Sequence, residues 1–172
     1  MLIRGAAHRW AALGGLAGCL LAFAATDGDT VPFPQGYRHW VYVHSMIVDA
    51  KAEAFAKQPC EKPCVGGIYH FYANELGLEG YRKGKFPDGA ILADELLEIR
   101  QPGDGPSFDG PRRGVGVMVR DSRRYQQTGG WGFGAFDGDG RVQTLNAEEQ
   151  QACFACHVAR KDHAYVFTEY HE

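Results

Sequence analysis

Hydrophobic and polar residues alternate along five stretches of the chain, the pattern expected of β-strands with one buried face. In the first stretch, residues 39–49, one face carries Trp40, Tyr42, His44, Met46 and Val48. Aromatic and β-branched residues dominate this stretch, and such residues favour strands. The other predicted strands are residues 66–73, 90–100, 114–120 and 129–136. Residues 101–113 are rich in Gly and Pro, which predicts a loop between the third and fourth strands.

Two helices are predicted outside these strands. Asn74 begins one that runs to about Arg82 and ends at Gly84. The second covers residues 147–158, which contain no Gly or Pro, and Asn146 with Glu149 has the spacing of a capping box at its start. Successive strands with few helices between them, followed by one C-terminal helix, indicate an α+β fold with an antiparallel sheet of about five strands.

The C-terminal helix carries Cys153, Cys156 and His157, which have the C-x-x-C-H spacing of a c-type haem attachment site. Two thiols add across the two vinyl groups of haem, and residues i, i+3 and i+4 share one face of a helix. His157 is then placed to become the proximal ligand of the haem iron. Two alternatives are a zinc site that adds His163 as a fourth ligand and a dithiol pair formed by the two cysteines.

The N-terminal residues have the features of an export signal, which we expect to cover residues 1–24. Arg4, His8 and Arg9 precede an uncharged apolar run, and an A-x-A cleavage site follows at residues 22–24. Cys19 ends a lipoprotein-like processing sequence, so a lipid-anchored protein is the alternative to a soluble one. We expect a linker over residues 25–32 and one domain over residues 33–172, in a periplasmic protein without a membrane span.

The chain has 18 basic and 21 acidic residues, and removal of the signal would make it slightly more acidic. No run of basic residues is present, which argues against binding to nucleic acid or to anionic membranes.

Two further cysteines, Cys60 and Cys64, lie in a Pro-containing segment. No histidine follows them, so they do not form a second haem site. A small disulfide loop is the expected outcome in an oxidising compartment, and two free thiols are the alternative.

Four blocks of sequence, at residues 33–40, 69–90, 116–133 and 153–167, together resemble the cytochrome P-460 family and, within it, the cytochrome c′-beta branch. The resemblance implies a β-rich fold, a homodimer and a five-coordinate haem c with His157 as its single protein ligand. Its two known activities differ in kind. The P-460 enzymes oxidise hydroxylamine with a haem cross-linked to a lysine, whereas the c′-beta proteins lack that link and bind nitric oxide or carbon monoxide.

This chain departs from the enzyme pattern at two positions. Asp94 falls where the family's cross-linking lysine lies, and Tyr69 falls where its distal arginine lies. We therefore take Asp94, Tyr69 and Phe71 as candidates for the distal pocket. A strand register shifted by one residue would instead bring Glu95 inward.

Three functions are consistent with these residues. The first is binding of nitric oxide or a similar small ligand at an open haem, and the second is oxidation or reduction of hydroxylamine or peroxide. The third is electron transfer with a redox partner protein, which needs a sixth ligand to the iron. The candidates for that ligand are His44, His70 and Met118.

Overall fold

The computed structural model describes residues 30–48 and 66–172, and these contain a five-stranded antiparallel sheet in the order β1-β2-β3-β4-β5. The strands are β1 (Val41–Val48), β2 (Gly67–Ala73), β3 (Ile91–Arg100), β4 (Phe108–Arg120) and β5 (Trp131–Asp137). Helix α1 (Glu75–Lys83) connects β2 to β3, and helix α2 (Ala147–His157) follows the sheet. Short 3₁₀ segments cover Tyr37–His39, Gln126–Thr128 and Val158–His163. The α+β fold predicted from the sequence is confirmed.

Both helices begin at an asparagine, as the sequence predicts. The Asn74 side chain accepts a hydrogen bond from the Gly77 amide, and α1 ends at Gly84, whose φ of 66° suits a residue without a side chain. Asn146 and Glu149 form a complete capping box at the start of α2.

Strand β4 is longer than predicted. It begins at Phe108, so the second half of the predicted loop at residues 101–113 is strand. Phe108 pairs with Arg100 and Asp109 pairs with Ile99, which gives the far end of β3 its hydrogen-bonding partner. Two register irregularities near Leu97 accommodate the Gly- and Pro-containing segment.

The predicted alternation along β1 is wrong at one point. The register shifts between Tyr42 and His44, as in a β-bulge, and the extra residue reverses the alternation. His44 packs on Phe71 on one face of the sheet, whereas Tyr42 packs on Tyr72 on the other.

Each face of the sheet has its own hydrophobic core. We call the face covered by α2 and the C-terminal segment the cavity face, and its buried residues are Val43, Ala73, Phe86, Ala90, Leu92, Trp131, Phe133 and Val166. We call the other the rear face, and its buried residues are Val31, Phe33, Tyr37, Ala93, Val115, Val117, Tyr125 and Phe136.

Candidate functional site

A cavity of about 780 Å³ lies between the cavity face, helix α2 and the C-terminal segment. Most of its lining is apolar, with contributions from β1 to β5. The polar or reactive groups in the lining belong to His44, Ser45, Asp94, Cys153, Cys156, His157 and Thr168. The volume falls within the roughly 300–1,000 Å³ of pockets that enclose drug-sized ligands and cofactors.

The sheet forms one wall of this cavity with a row of residues that are neighbours across the strands. His44 pairs with Phe71, Phe71 with Asp94, Asp94 with Gly116, and Gly116 with Ala135. Residues directly opposite each other in an antiparallel sheet point to the same face. The whole row therefore faces the cavity.

Helix α2 places Cys153, Cys156 and His157 in the lining of the same cavity. The i, i+3, i+4 spacing brings the two sulfurs and the imidazole to one face of the helix. Phe154 completes the packing by contacting Phe133 of β5 and Tyr165 of the C-terminal segment. The three residues that the sequence singles out are thus brought together.

The ring of His157 is held by two aromatic rings and by a hydrogen bond at one nitrogen. Its Nδ1 donates a hydrogen bond of 2.7 Å to the carbonyl oxygen of Tyr165, which leaves Nε2 without its proton and able to bind a metal. The rings of Phe133 and Phe167 each lie 5.0 Å from the imidazole. Burial lowers the pKa of His157, which favours the neutral form that metal binding requires.

A turn with left-handed backbone positions the Tyr165 carbonyl. Ala164 and Tyr165 have φ values of 53° and 67°, which are uncommon for residues with a side chain. The buried indole of Trp131 holds the turn by donating from Nε1 to the Ala164 carbonyl at 2.8 Å. The Tyr165 ring lies against Gly129, where a Cβ would approach it to 2.5 Å. No local sequence pattern indicates this arrangement.

Asp94 faces the cavity and Glu95 faces the rear, so the sheet has the first of the two registers considered from the sequence. The carboxyl of Asp94 lies over Gly116, because a Cβ at Gly116 would meet Asp94 Oδ1 at 2.1 Å. Burial raises the pKa of Asp94 to about 6, against partial compensation by backbone hydrogen bonds. A glycine inside a strand often marks such a close approach, so this contact had a signal in the sequence.

The remaining sequence candidates are placed as follows. Phe71 lines the cavity, and Tyr69 stacks on Phe71 at a centroid distance of 6.4 Å without being part of the lining. His44 and Met118 line the cavity, whereas His70 pairs with Glu95 across β2 and β3, which places it on the rear face. Met46 also lines the cavity and was not singled out as a candidate ligand from the sequence.

Three cysteines considered in the sequence analysis, Cys19, Cys60 and Cys64, lie outside the described residues. His163 is exposed at the end of the segment that follows α2. Within residues 30–48 and 66–172, no three His, Cys, Asp or Glu side chains are grouped to hold a metal ion among themselves.

A model of the cytochrome P460 family matches residues 34–168, most of the chain and both walls of the cavity. The chain belongs to the cytochrome P460 family. Members of this family are haem proteins, as the sequence resemblance implied. No curated protein sequence matches this one.

The cavity fits the group that the cytochrome P460 family implies. It joins two helical thiols, a histidine with an available Nε2 and a largely apolar wall, which together suit a flat apolar macrocycle with a central iron. In the described part of this cytochrome P460 protein, no helix has the length and apolar character needed to cross a membrane.

Proposed function

We propose that the protein is an exported c-type haem protein that binds nitric oxide or a similar small molecule at an open coordination position. The observation that carries the proposal is the shared cavity, because Cys153, Cys156 and His157 line it together with an apolar sheet wall. The haem iron supplies the position at which a diatomic ligand binds.

Each residue of helix α2 has its own part in this proposal. The thiols of Cys153 and Cys156 hold the haem through two thioether bonds, which fixes it relative to the helix. His157 binds the iron through Nε2, and the Tyr165 carbonyl sets the orientation and basicity of its ring. Phe133 and Phe167 keep the imidazole from rotating.

The wall formed by the sheet affects which ligands the site favours. Phe71, Leu92 and Met118 contribute apolar surface there. An apolar wall favours a neutral diatomic over a charged or strongly hydrated ligand, because burial of a charge without a partner is costly.

The presence of Asp94 in the cavity lining supports a second candidate function, the oxidation or reduction of a protic ligand such as hydroxylamine or peroxide. A carboxyl whose pKa is raised to about 6 can donate or accept a proton near neutral pH. Asp94 cannot form the lysine cross-link of the P-460 enzymes, so the haem would be an ordinary haem c. In this reading Asp94 is the general acid or base.

Electron transfer is the third candidate, and the side chains available as a sixth ligand are His44, Met46 and Met118. His70 is a poor candidate because it pairs with Glu95 and lies on the rear face. The family resemblance also suggests a homodimer, and the N-terminal sequence suggests a periplasmic location.

The absorption spectrum of the reduced protein, before and after addition of carbon monoxide or nitric oxide, distinguishes the three functions. We expect a five-coordinate spectrum that changes on addition of either gas. A strongly red-shifted band would indicate a cross-linked enzyme. Sharp split bands that are lost in His44→Ala, Met46→Leu or Met118→Leu would indicate electron transfer. The change His70→Ala serves as the matched control and should leave the spectrum unchanged.

A further inference from the structure

The rear face of the sheet carries three tyrosine rings in succession from the core to the surface. The centroids of Tyr37 and Tyr72 are 5.5 Å apart, and those of Tyr72 and Tyr42 are 6.2 Å apart, both in edge-to-face geometry. Tyr37 is 3% exposed and Tyr42 is 52% exposed. We call Tyr37, Tyr72 and Tyr42 the tyrosine chain.

The middle ring of the tyrosine chain stands directly behind the cavity wall. Tyr72 follows Phe71 along β2, and Phe71 lines the cavity. Side chains that follow one another in a strand point to opposite faces. Tyr72 is therefore separated from the cavity by one layer of sheet backbone.

The buried ring, Tyr37, has a proton acceptor in place. Its hydroxyl donates to Glu95 Oε1 at 2.7 Å and accepts from Arg112 Nη1 at 2.9 Å. Glu95 is 2% exposed, and Arg38 Nε contacts both of its oxygens at 3.1 and 3.2 Å. Burial and the neighbouring Glu95 carboxylate raise the pKa of Tyr37, so its phenol holds its proton in the resting protein.

The exposed ring, Tyr42, also has a polar partner. Its hydroxyl shares a hydrogen bond of 2.7 Å with Ser45 Oγ, and Ser45 Oγ contacts His70 Nδ1. This end of the tyrosine chain is accessible to molecules too large to enter the cavity.

We propose that the tyrosine chain conducts one-electron oxidising equivalents from the cavity to the sheet surface, so that the protein can oxidise external phenols at the expense of peroxide. The proposal rests on the open haem site of the proposed function. It assigns a role to Glu95 and Tyr37, which the ligand site does not use.

The electrons and protons balance as follows. Reduction of one peroxide to two waters in the cavity takes up two electrons and two protons. For each electron, Tyr72 gives one electron toward the cavity and takes one from Tyr37, whose O–H bond breaks as its proton moves to Glu95. Tyr42 then gives one electron through Tyr72 to Tyr37, and Glu95 returns the proton to Tyr37. The phenolic proton of Tyr42 leaves to solvent, and solvent supplies the proton that is taken up in the cavity. An external phenol restores Tyr42 by giving up one electron and one proton, so two phenols become two phenoxyl radicals per peroxide.

Rapid mixing of the haem-loaded protein with hydrogen peroxide, followed by freezing and electron paramagnetic resonance, tests the proposal. We expect a tyrosyl radical signal that narrows when the protein is made with ring-deuterated tyrosine. Tyr72→Phe should reduce that signal several-fold and slow the oxidation of a bulky phenolic dye. The matched control is Tyr125→Phe, which removes a hydroxyl from a buried ring of the same core, and it should change neither quantity.

Two results would overturn the proposal. The first is a radical signal that persists undiminished when Tyr37, Tyr72 and Tyr42 are all replaced by Phe. The second is an equal loss of signal in Tyr125→Phe. If either result comes with a normal change in haem absorption on adding peroxide, the tyrosine chain is wrong but the proposed open haem site is retained. A wild-type haem spectrum that responds to neither peroxide, carbon monoxide nor nitric oxide would overturn both proposals.

Discussion

Asp94 is a carboxyl group in a largely apolar cavity, and its protonation affects both stability and ligand preference. Its pKa is raised from 3.8 to about 6 because burial disfavours the charged form of the carboxyl. The folded state therefore binds this proton more tightly than the unfolded chain does. The resulting stability is fully present below the unfolded pKa of 3.8 and is lost as the pH rises through about 6.

The change Asp94→Asn should remove this dependence. The pKa difference corresponds to roughly 2–3 kcal/mol at most. The free energy of unfolding of Asp94→Asn minus that of the wild type should thus grow by up to that amount between about pH 4 and pH 7.5. Urea unfolding of the haem-loaded proteins measures it. The control is Asp104→Asn, which changes an exposed carboxyl in the loop between β3 and β4. The account would be contradicted if the free energy of unfolding depended on pH equally in Asp94→Asn and the wild type.

Trp131 affects His157 through a backbone turn. Its indole donates to the Ala164 carbonyl, and the next carbonyl, that of Tyr165, accepts from His157. Trp131→Phe removes the indole donor at a cost of about 1 kcal/mol for the hydrogen bond and about 1–3 kcal/mol for lost packing. It should also lower the iron–histidine stretching frequency in the Raman spectrum of the reduced protein.

The control for this change is Trp40→Phe, which makes the same truncation against the rear-face core. Trp40→Phe should reduce stability without moving the iron–histidine band. A band that is unchanged in Trp131→Phe would show that the turn does not position His157.

At the scale of elements, the two helix caps differ in the number of bonds that depend on them. Asn146 accepts one bond, from the Glu149 amide, whereas Asn74 accepts from the amides of Gly77 and Ile91 and donates to the Gly89 carbonyl. Asn146→Ala should cost about 1 kcal/mol, and Asn74→Ala about 2–4 kcal/mol because it also disconnects α1 from the start of β3. Thermal unfolding measures the loss of stability in each variant. Equal losses in Asn146→Ala and Asn74→Ala would contradict the larger role given to Asn74.

The same elements show what the sequence could predict. Helix α2 and its three reactive residues were predictable because capping and i, i+3, i+4 spacing are local properties. The bulge in β1 was not, because one extra residue leaves the composition of the strand unchanged while reversing its faces. The first half of β4 was missed because its Gly and Pro residues also suit a loop.

The site was predictable where it depends on side chains of known chemistry and not where it depends on backbone. The Tyr165 carbonyl that orients His157 has no sequence signature. The choice between Asp94 and Glu95 for the cavity was ambiguous because both are acids between leucine positions. The structure resolves this choice because Tyr37, Arg38 and Arg112 contact Glu95 on the rear face. These three residues are distant from Glu95 in the sequence.

At the scale of the whole molecule, the two faces of the sheet carry different sets of functional side chains. The cavity face meets α2 and carries the residues proposed to hold and limit the haem. The rear face carries the buried Glu95 and the tyrosine chain. A single layer of sheet backbone separates the tyrosine chain from the cavity.

The central claim is that α2 holds haem covalently through Cys153 and Cys156. The most direct measurement is haem staining after denaturing gel electrophoresis of the wild type and the double variant Cys153→Ala/Cys156→Ala, both produced in a host that attaches haem c. Only thioether-bound haem survives denaturation, so we predict a stained wild-type band and an unstained variant band of equal protein content. A stained band in the double variant would contradict the claim.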